Sequence, residues 1–199
     1  MVSRREGRSG SAWKAYPELL TFISSVGQKL EKLTWNFSRY EGEIFRRPCN
    51  LESVNFAALD FCVAAVSLRD WVKIEVLRFA RANPAIDLPQ EESSFYSLIK
   101  ARIRWQHVIE AVANASKHGT YDDRQFEGGV VQPTQMIPPI VDELTESPVD
   151  LTDVSWYDLL IQQRGSDEAT PGYVAFGEAL EDWETLINEL ISLGAVREQ

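Results

Sequence analysis

The stretch Ala113-Asn114-Ala115-Ser116-Lys117-His118-Gly119 gathers an amide, an amine and one of the chain's two imidazoles at the end of an apolar-periodic segment. An imidazole titrates near neutral pH and can move a proton, and an ammonium is a compact charge for holding an anion. His118, Asn114 and Lys117 are therefore the candidate catalytic residues. The same residues also suit a plain helix ending. Lys117 and His118 would then be cations beside the unpaired carbonyls of the last turn, and Gly119 would take the left-handed conformation that stops the helix.

A second set of residues could meet a polyanion. Arg69, Lys73, Arg78 and Arg81 recur along one segment and Lys100, Arg102 and Arg104 along the next, so the two could form a basic face for nucleic acid. Arg69, Lys73, Arg102 and Arg104 are the residues chosen for that role. Helices also carry such charges simply as a solvated face. Metal binding has less support, because His107 and His118 lie roughly 16 Å apart along a continuous helix and cannot share an ion. The expectation is no metal and no small-molecule cofactor.

The elements that must position these groups follow from apolar spacing. From Pro17, residues Leu19, Ile23, Val26, Leu30, Leu33, Phe37 and Tyr40 alternate spacings of four and three, which predicts a long bundle helix reaching Phe45. Pro48 stops it. Asn50 can cap a second helix whose face is Val54, Ala58, Phe61, Ala65, Leu68, Val72, Val76 and Phe79, ended by Asn83-Pro84. A third helical segment begins near Glu91-Glu92-Ser93-Ser94, with a serine as its cap, and closes at Gly119. Whether it is one helix or two joined near Ala101 to Ile103 is open in the sequence.

Residues 120–150 are rich in Gly, Pro, Asp and Thr and are expected to be irregular. Within Asp153 to Gln163 the β-formers Val154, Trp156, Tyr157, Leu159, Leu160 and Ile161 predict a strand, with Gly172 to Phe176 as its hairpin partner. A last helix over Glu178 to Leu193 presents Leu180, Trp183, Ile187 and Leu190, and Gly194 stops it. The fold class is thus mainly α: a four-helix bundle with a small β-hairpin inserted between helices three and four. Residues 1–12 are expected to be a disordered tail, and 13–199 a single domain with an irregular and β insertion at about 120–176. Trp35, Trp71, Trp105 and Trp183 fall one to each helical segment, as apolar anchors would.

Composition bounds the rest. With 199 residues, 44% hydrophobic and 25% charged, the chain is of ordinary globular type, and two cysteines are too few for a disulfide framework. The weakly polar stretch Phe56 to Leu68 contains Asp60 and is too short to span a bilayer, and the Gly-, Ser- and Arg-rich start lacks the apolar core of a secretory signal. A cytoplasmic protein without membrane contact is expected. Charge is uneven: residues 1–119 carry 17 Lys and Arg against 13 Asp and Glu, a net of +4, while 120–199 carry 3 against 17, a net of −14.

A helical bundle with Asn114 four residues ahead of His118 resembles the HEPN families, helical domains named for higher eukaryotes and prokaryotes nucleotide-binding. The resemblance implies a hallmark of Arg, then a polar residue, then His after a gap of four to six, and metal-independent ribonuclease activity in dimers. The matching positions here are Ala113, Asn114 and His118, so the arginine is missing. Metal-free RNA cleavage needs one group to manage the 2′-hydroxyl proton and a fixed cation for the phosphate. Lys117 cannot reproduce the bidentate grip of a guanidinium. Arg102 and His107 have the hallmark's spacing, but Ile103 stands where a polar residue belongs. Leu68-Arg69-Asp70-Trp71, the Asn-x-x-Lys-His helix end, a hairpin and a final helix with Trp183 are similar, in that order, to uncharacterised bacterial proteins.

The resemblance and the absent arginine together imply a HEPN-like binding or regulatory module without nuclease activity, in a bacterial stress or phage-defence system. A metal-independent endoribonuclease using Asn114, Lys117 and His118 is the enzymatic alternative. An acidic protein that mimics nucleic acid, working through Asp142, Glu143, Glu146, Asp150 and Asp153, is the third. A protein partner or a second copy is expected, and RNA is a candidate ligand; the heptad-like first helix would serve for self-association.

Overall fold

The computed structural model describes residues 25–46, 48, 50–118, 130–136, 156–162 and 169–197. The expected tail at 1–12, the first turns from Pro17 and most of the 120–150 segment lie outside them.

Helix α1 spans Val26–Phe45, and the Ser25 hydroxyl caps it by accepting from the Gln28 N–H at 3.1 Å. Val26, Leu33 and Tyr40 of the expected seam are buried, with Leu30 and Phe37 packed partly against the core. Helix α2 spans Leu51–Ala82. The Asn50 side chain accepts from the N–H groups of Glu52 at 2.9 Å and Ser53 at 3.4 Å, so the cap is the one its residue type predicts. The two helices run antiparallel: Lys29 donates to Ser67, Asn36 to the carbonyl of Asp60, and Arg39 pairs with Asp60 at 2.7 Å.

The third helical segment is two helices. Helix α3 covers Glu92–Arg102 and α4 covers Gln106–His118. No serine caps α3; Glu91 holds the cap position without a side-chain bond. The break between them has a physical cause. Ile103 is buried as an anchor, and α5 supplies acceptors at the joint: Asp182 accepts from the backbone N–H of Arg104, freed by the break, at 3.0 Å, and Glu178 from the side-chain indole of Trp105 at 2.7 Å.

Between α4 and α5 lies a three-stranded antiparallel sheet with order β1-β2-β3: Val130–Met136, Trp156–Gln162 and Ala169–Pro171. Val130 faces Gln162 and Met136 faces Trp156, while Leu160 faces Pro171. The expected partner of the second strand, Gly172 to Phe176, is instead the first turn of α5, which spans Gly172–Ser192. Its apolar residues are buried on a helical face: Ala175, Phe176, Ala179, Leu180 and Trp183. Of the two partners of β2, β1 lies in the stretch expected to be irregular and β3 just before Gly172. Pro133 is tolerated because β1 is an edge strand. Helix α5 ends as predicted at Gly194, whose φ of 73° lets Ala195 donate back to the Leu190 carbonyl at 2.9 Å.

The architecture is therefore mainly helical, with the small sheet between α4 and α5. The rings of Phe61 and Phe176 stack at 4.8 Å and Tyr40 meets Phe176 at 5.3 Å, joining α1, α2 and α5. Trp183 is the one of the four chosen tryptophans that is fully buried. Trp71 and Trp105 are half-buried, and Trp35 is 61% exposed under the guanidinium of Arg39. One anchor per helix is thus too simple: Trp35 faces water.

Candidate functional site

Helix α4 carries Asn114 and the backbone of Lys117 and His118. Asn114 is exposed. Ala113, the position matching the hallmark arginine, is fully buried in the core. The side chains of Lys117 and His118, and Gly119, lie outside the described residues. Both histidines belong to α4, His107 in its first turn and His118 at its end. Arg102 and His107, the second pair of the right spacing, sit on different helices with the α3–α4 break between them.

Four of the basic residues expected to form one face, Arg69, Lys73, Arg102 and Arg104, divide into two clusters, each matched with acids. In the first, on α2, Arg69 reaches Asp70 at 2.8 Å and Glu110 of α4 at 2.5 Å, and its guanidinium lies 5.2 Å from the Tyr96 ring centre. Its side chain is only 13% exposed. Burial pulls its pKa down, and the two carboxylates outweigh that and raise it above the ordinary value. Lys73 donates to the Tyr96 hydroxyl at 3.1 Å and pairs with Glu92 at 3.3 Å; the hydroxyl bond is the larger cause of its raised pKa. In the second cluster, Arg102 spans both carboxylate oxygens of Glu189 at 2.6 Å, and Arg104 pairs with Asp182 at 3.0 Å and Glu178 at 3.3 Å. All four residues chosen for nucleic-acid contact thus lie against carboxylates. The pairs hold α2 to α3 and α4, and the α3–α4 joint to α5.

A groove of about 610 Å³ opens between α2 and the start of α3, lined by Lys73, Ile74, Leu77, Arg78, Arg81 and Glu92. Arg81 donates to the Gln90 carbonyl at 3.4 Å. Among the described residues, no group of three or more His, Cys, Asp and Glu is placed to hold a metal ion.

Sequence reasoning passed over one buried polar centre. Asp158 of β2 is buried and accepts three hydrogen bonds: from the Tyr40 hydroxyl of α1, from the Leu159 N–H at 2.7 Å and from the Tyr173 N–H at 3.1 Å. Tyr173 is the second residue of α5, so the carboxylate also sits at the positive end of that helix. Burial raises the Asp158 pKa against the lowering effect of those bonds, and burial beside this carboxylate raises that of Tyr40. The available signal was an acid in the middle of an apolar β run, Trp156-Tyr157-Asp158-Leu159-Leu160.

No protein-family model matches this chain. No curated protein and no solved structure matches it either. The reading of function therefore rests on the residues themselves.

Proposed function

We propose that this chain is a HEPN-like binding or regulatory module that does not cleave RNA, of the kind a bacterial stress or phage-defence system would use in the cytoplasm with a protein partner. The observation that carries the reading is the burial of Ala113 beside exposed Asn114. The position that would supply a guanidinium faces the bundle core, where an arginine would need a buried counter-charge and could not meet a phosphate in solvent.

Three described arginines of the sequence patch add to this. Arg69, Arg102 and Arg104 are each engaged by one or two carboxylates, and a phosphate would have to displace them. Without a guanidinium at position 113, a phosphodiester held beside His118 would lack that source of stabilisation for the charge that develops during cleavage.

The test is digestion of single-stranded RNA in the presence of chelator by the wild type, His118→Ala and Lys117→Ala. Equal, background-level cleavage by all three is the expected result. Cleavage lost on replacing His118 would overturn the proposal in favour of a metal-independent endoribonuclease using Asn114, Lys117 and His118.

A further inference from the structure

Helix α2 carries four cations, and carboxylates hold only two of them. Arg69 is bound by Asp70 and Glu110, and Lys73 by Glu92. Arg78 makes no ion pair or hydrogen bond among the described residues. Arg81 donates to the Gln90 carbonyl, a neutral acceptor that leaves its charge uncompensated. Both arginines line the groove between α2 and the start of α3.

The rest of that lining is apolar apart from the Lys73–Glu92 pair: Ile74, Leu77 and Ala82. Ile74 is 61% exposed there. Because Glu92 is already matched by Lys73, two positive charges in the lining stay unbalanced. Residues 74, 77, 78 and 81 recur at spacings of three, one and three, so the groove follows α2 lengthwise, and the span from 73 to 82 is about 14 Å, between two and three turns.

An occupant must therefore bring apolar surface together with a few negative charges. A nucleic acid brings charge alone, and the lining has no aromatic ring on which a base would stack. The unpaired carbonyls that end α2 also carry partial negative charge, which disfavours closely spaced phosphates. A helix laid along α2 meets both requirements: apolar residues three and four apart cover Ile74 and Leu77, and acidic residues beside them reach the two guanidinium groups.

We propose that this groove is a docking site for an acidic amphipathic helix of a partner protein, with its apolar face on Ile74 and Leu77 and its carboxylates paired with Arg78 and Arg81. This occupant presupposes that the chain is a partner-binding module. RNA digestion tests that reading with no peptide present, so the two fail separately.

Fluorescence anisotropy of the full chain with a labelled helical peptide of about sixteen residues, built from Leu and Glu with the Leu on one face, tests the docking site. Saturable binding is expected, about tenfold tighter or more than to the same peptide with Gln for every Glu or with its Leu positions scrambled. Ile74→Gln, and Arg78→Glu with Arg81→Glu, should each weaken binding by about tenfold or more, while helical circular dichroism persists because these three residues are exposed. Lys32→Glu with Lys100→Glu changes the net charge equally at exposed positions outside the lining and should bind as the wild type does. No binding at about 1 mM peptide, equal loss in the two charge-reversed variants, or indifference to Ile74→Gln would overturn the proposal. So would tighter binding of an oligouridine RNA to the same two arginines.

Discussion

The Tyr40 hydroxyl of α1 donates to the buried carboxylate of Asp158 on β2, across 118 residues of sequence. Through the same carboxylate, the N-terminus of α5 is tied to the sheet by the Tyr173 N–H. Three elements that are distant in the chain thus share one polar atom pair inside an apolar core. Tyr40→Phe keeps the ring and its packing on Phe176 but leaves a buried carboxylate one donor short. It should lower stability by about 1–3 kcal/mol, measured by urea denaturation. A change within error would mean that Asp158 finds another donor.

The same centre sets a pH dependence. Burial holds the Asp158 pKa above its ordinary value of 3.8, so the folded chain binds that proton more tightly than the unfolded chain. The stabilisation from this group is complete below the ordinary value and is lost as pH rises through the raised one. The stability of the wild type relative to Asp158→Asn should therefore grow on acidification from about pH 7 to about pH 4, followed by urea denaturation at each pH. A wild-type advantage that grows with pH would show that the three hydrogen bonds outweigh burial.

Gly172 is where β3 turns into α5, and its lack of a side chain lets three elements close together. A Cβ there would lie 2.6 Å from the Tyr40 oxygen, 3.1 Å from Asp158 Oδ1 and 3.1 Å from Leu159 Cβ. Gly172→Ala must displace the Tyr40–Asp158 bond, so it should destabilise the fold by about 1–3 kcal/mol despite alanine's higher helix propensity. Thermal unfolding followed by circular dichroism checks this, and a stabilised variant would contradict it.

If carboxylates neutralise Arg69, removing them should expose its charge. Asp70→Asn with Glu110→Gln leaves the guanidinium without an ionic partner beside Tyr96. Binding of a fluorescent single-stranded RNA at low salt should then strengthen by about tenfold over the wild type, with a steeper salt dependence. Unchanged affinity would mean that this cluster does not face the nucleic acid at all.

The fold was legible to the extent that periodicity encodes it. The faces of α2 and α5 were marked by apolar residues three and four apart, because a helix buries one side of a 3.6-residue repeat, and Asn50 and Gly194 marked their ends through local backbone chemistry alone. The strand at Trp156–Gln162 was visible for the same kind of reason. Its partner was not. Gly172-Tyr173-Val174-Ala175-Phe176 has strand-like residues, yet burial of Ala175 and Phe176 against Tyr40 and Phe61 requires the helical spacing of α5.

The candidate site divides in the same way. Sequence by itself determined the residue types on offer: an Asn and a His at a helix end with no arginine at position 113, two histidines too far apart for one ion, and a run of cations along α2 and α3. Only the tertiary structure decided what those cations do. Ion pairs form between side chains whose separation in space bears no relation to their separation in sequence, so neither the binding of Arg102 to Glu189 and Arg104 to Asp182, 87 and 78 residues away, nor the Asp158 centre follows from a local pattern. Whether a charge stays free depends on packing, and packing is long-range.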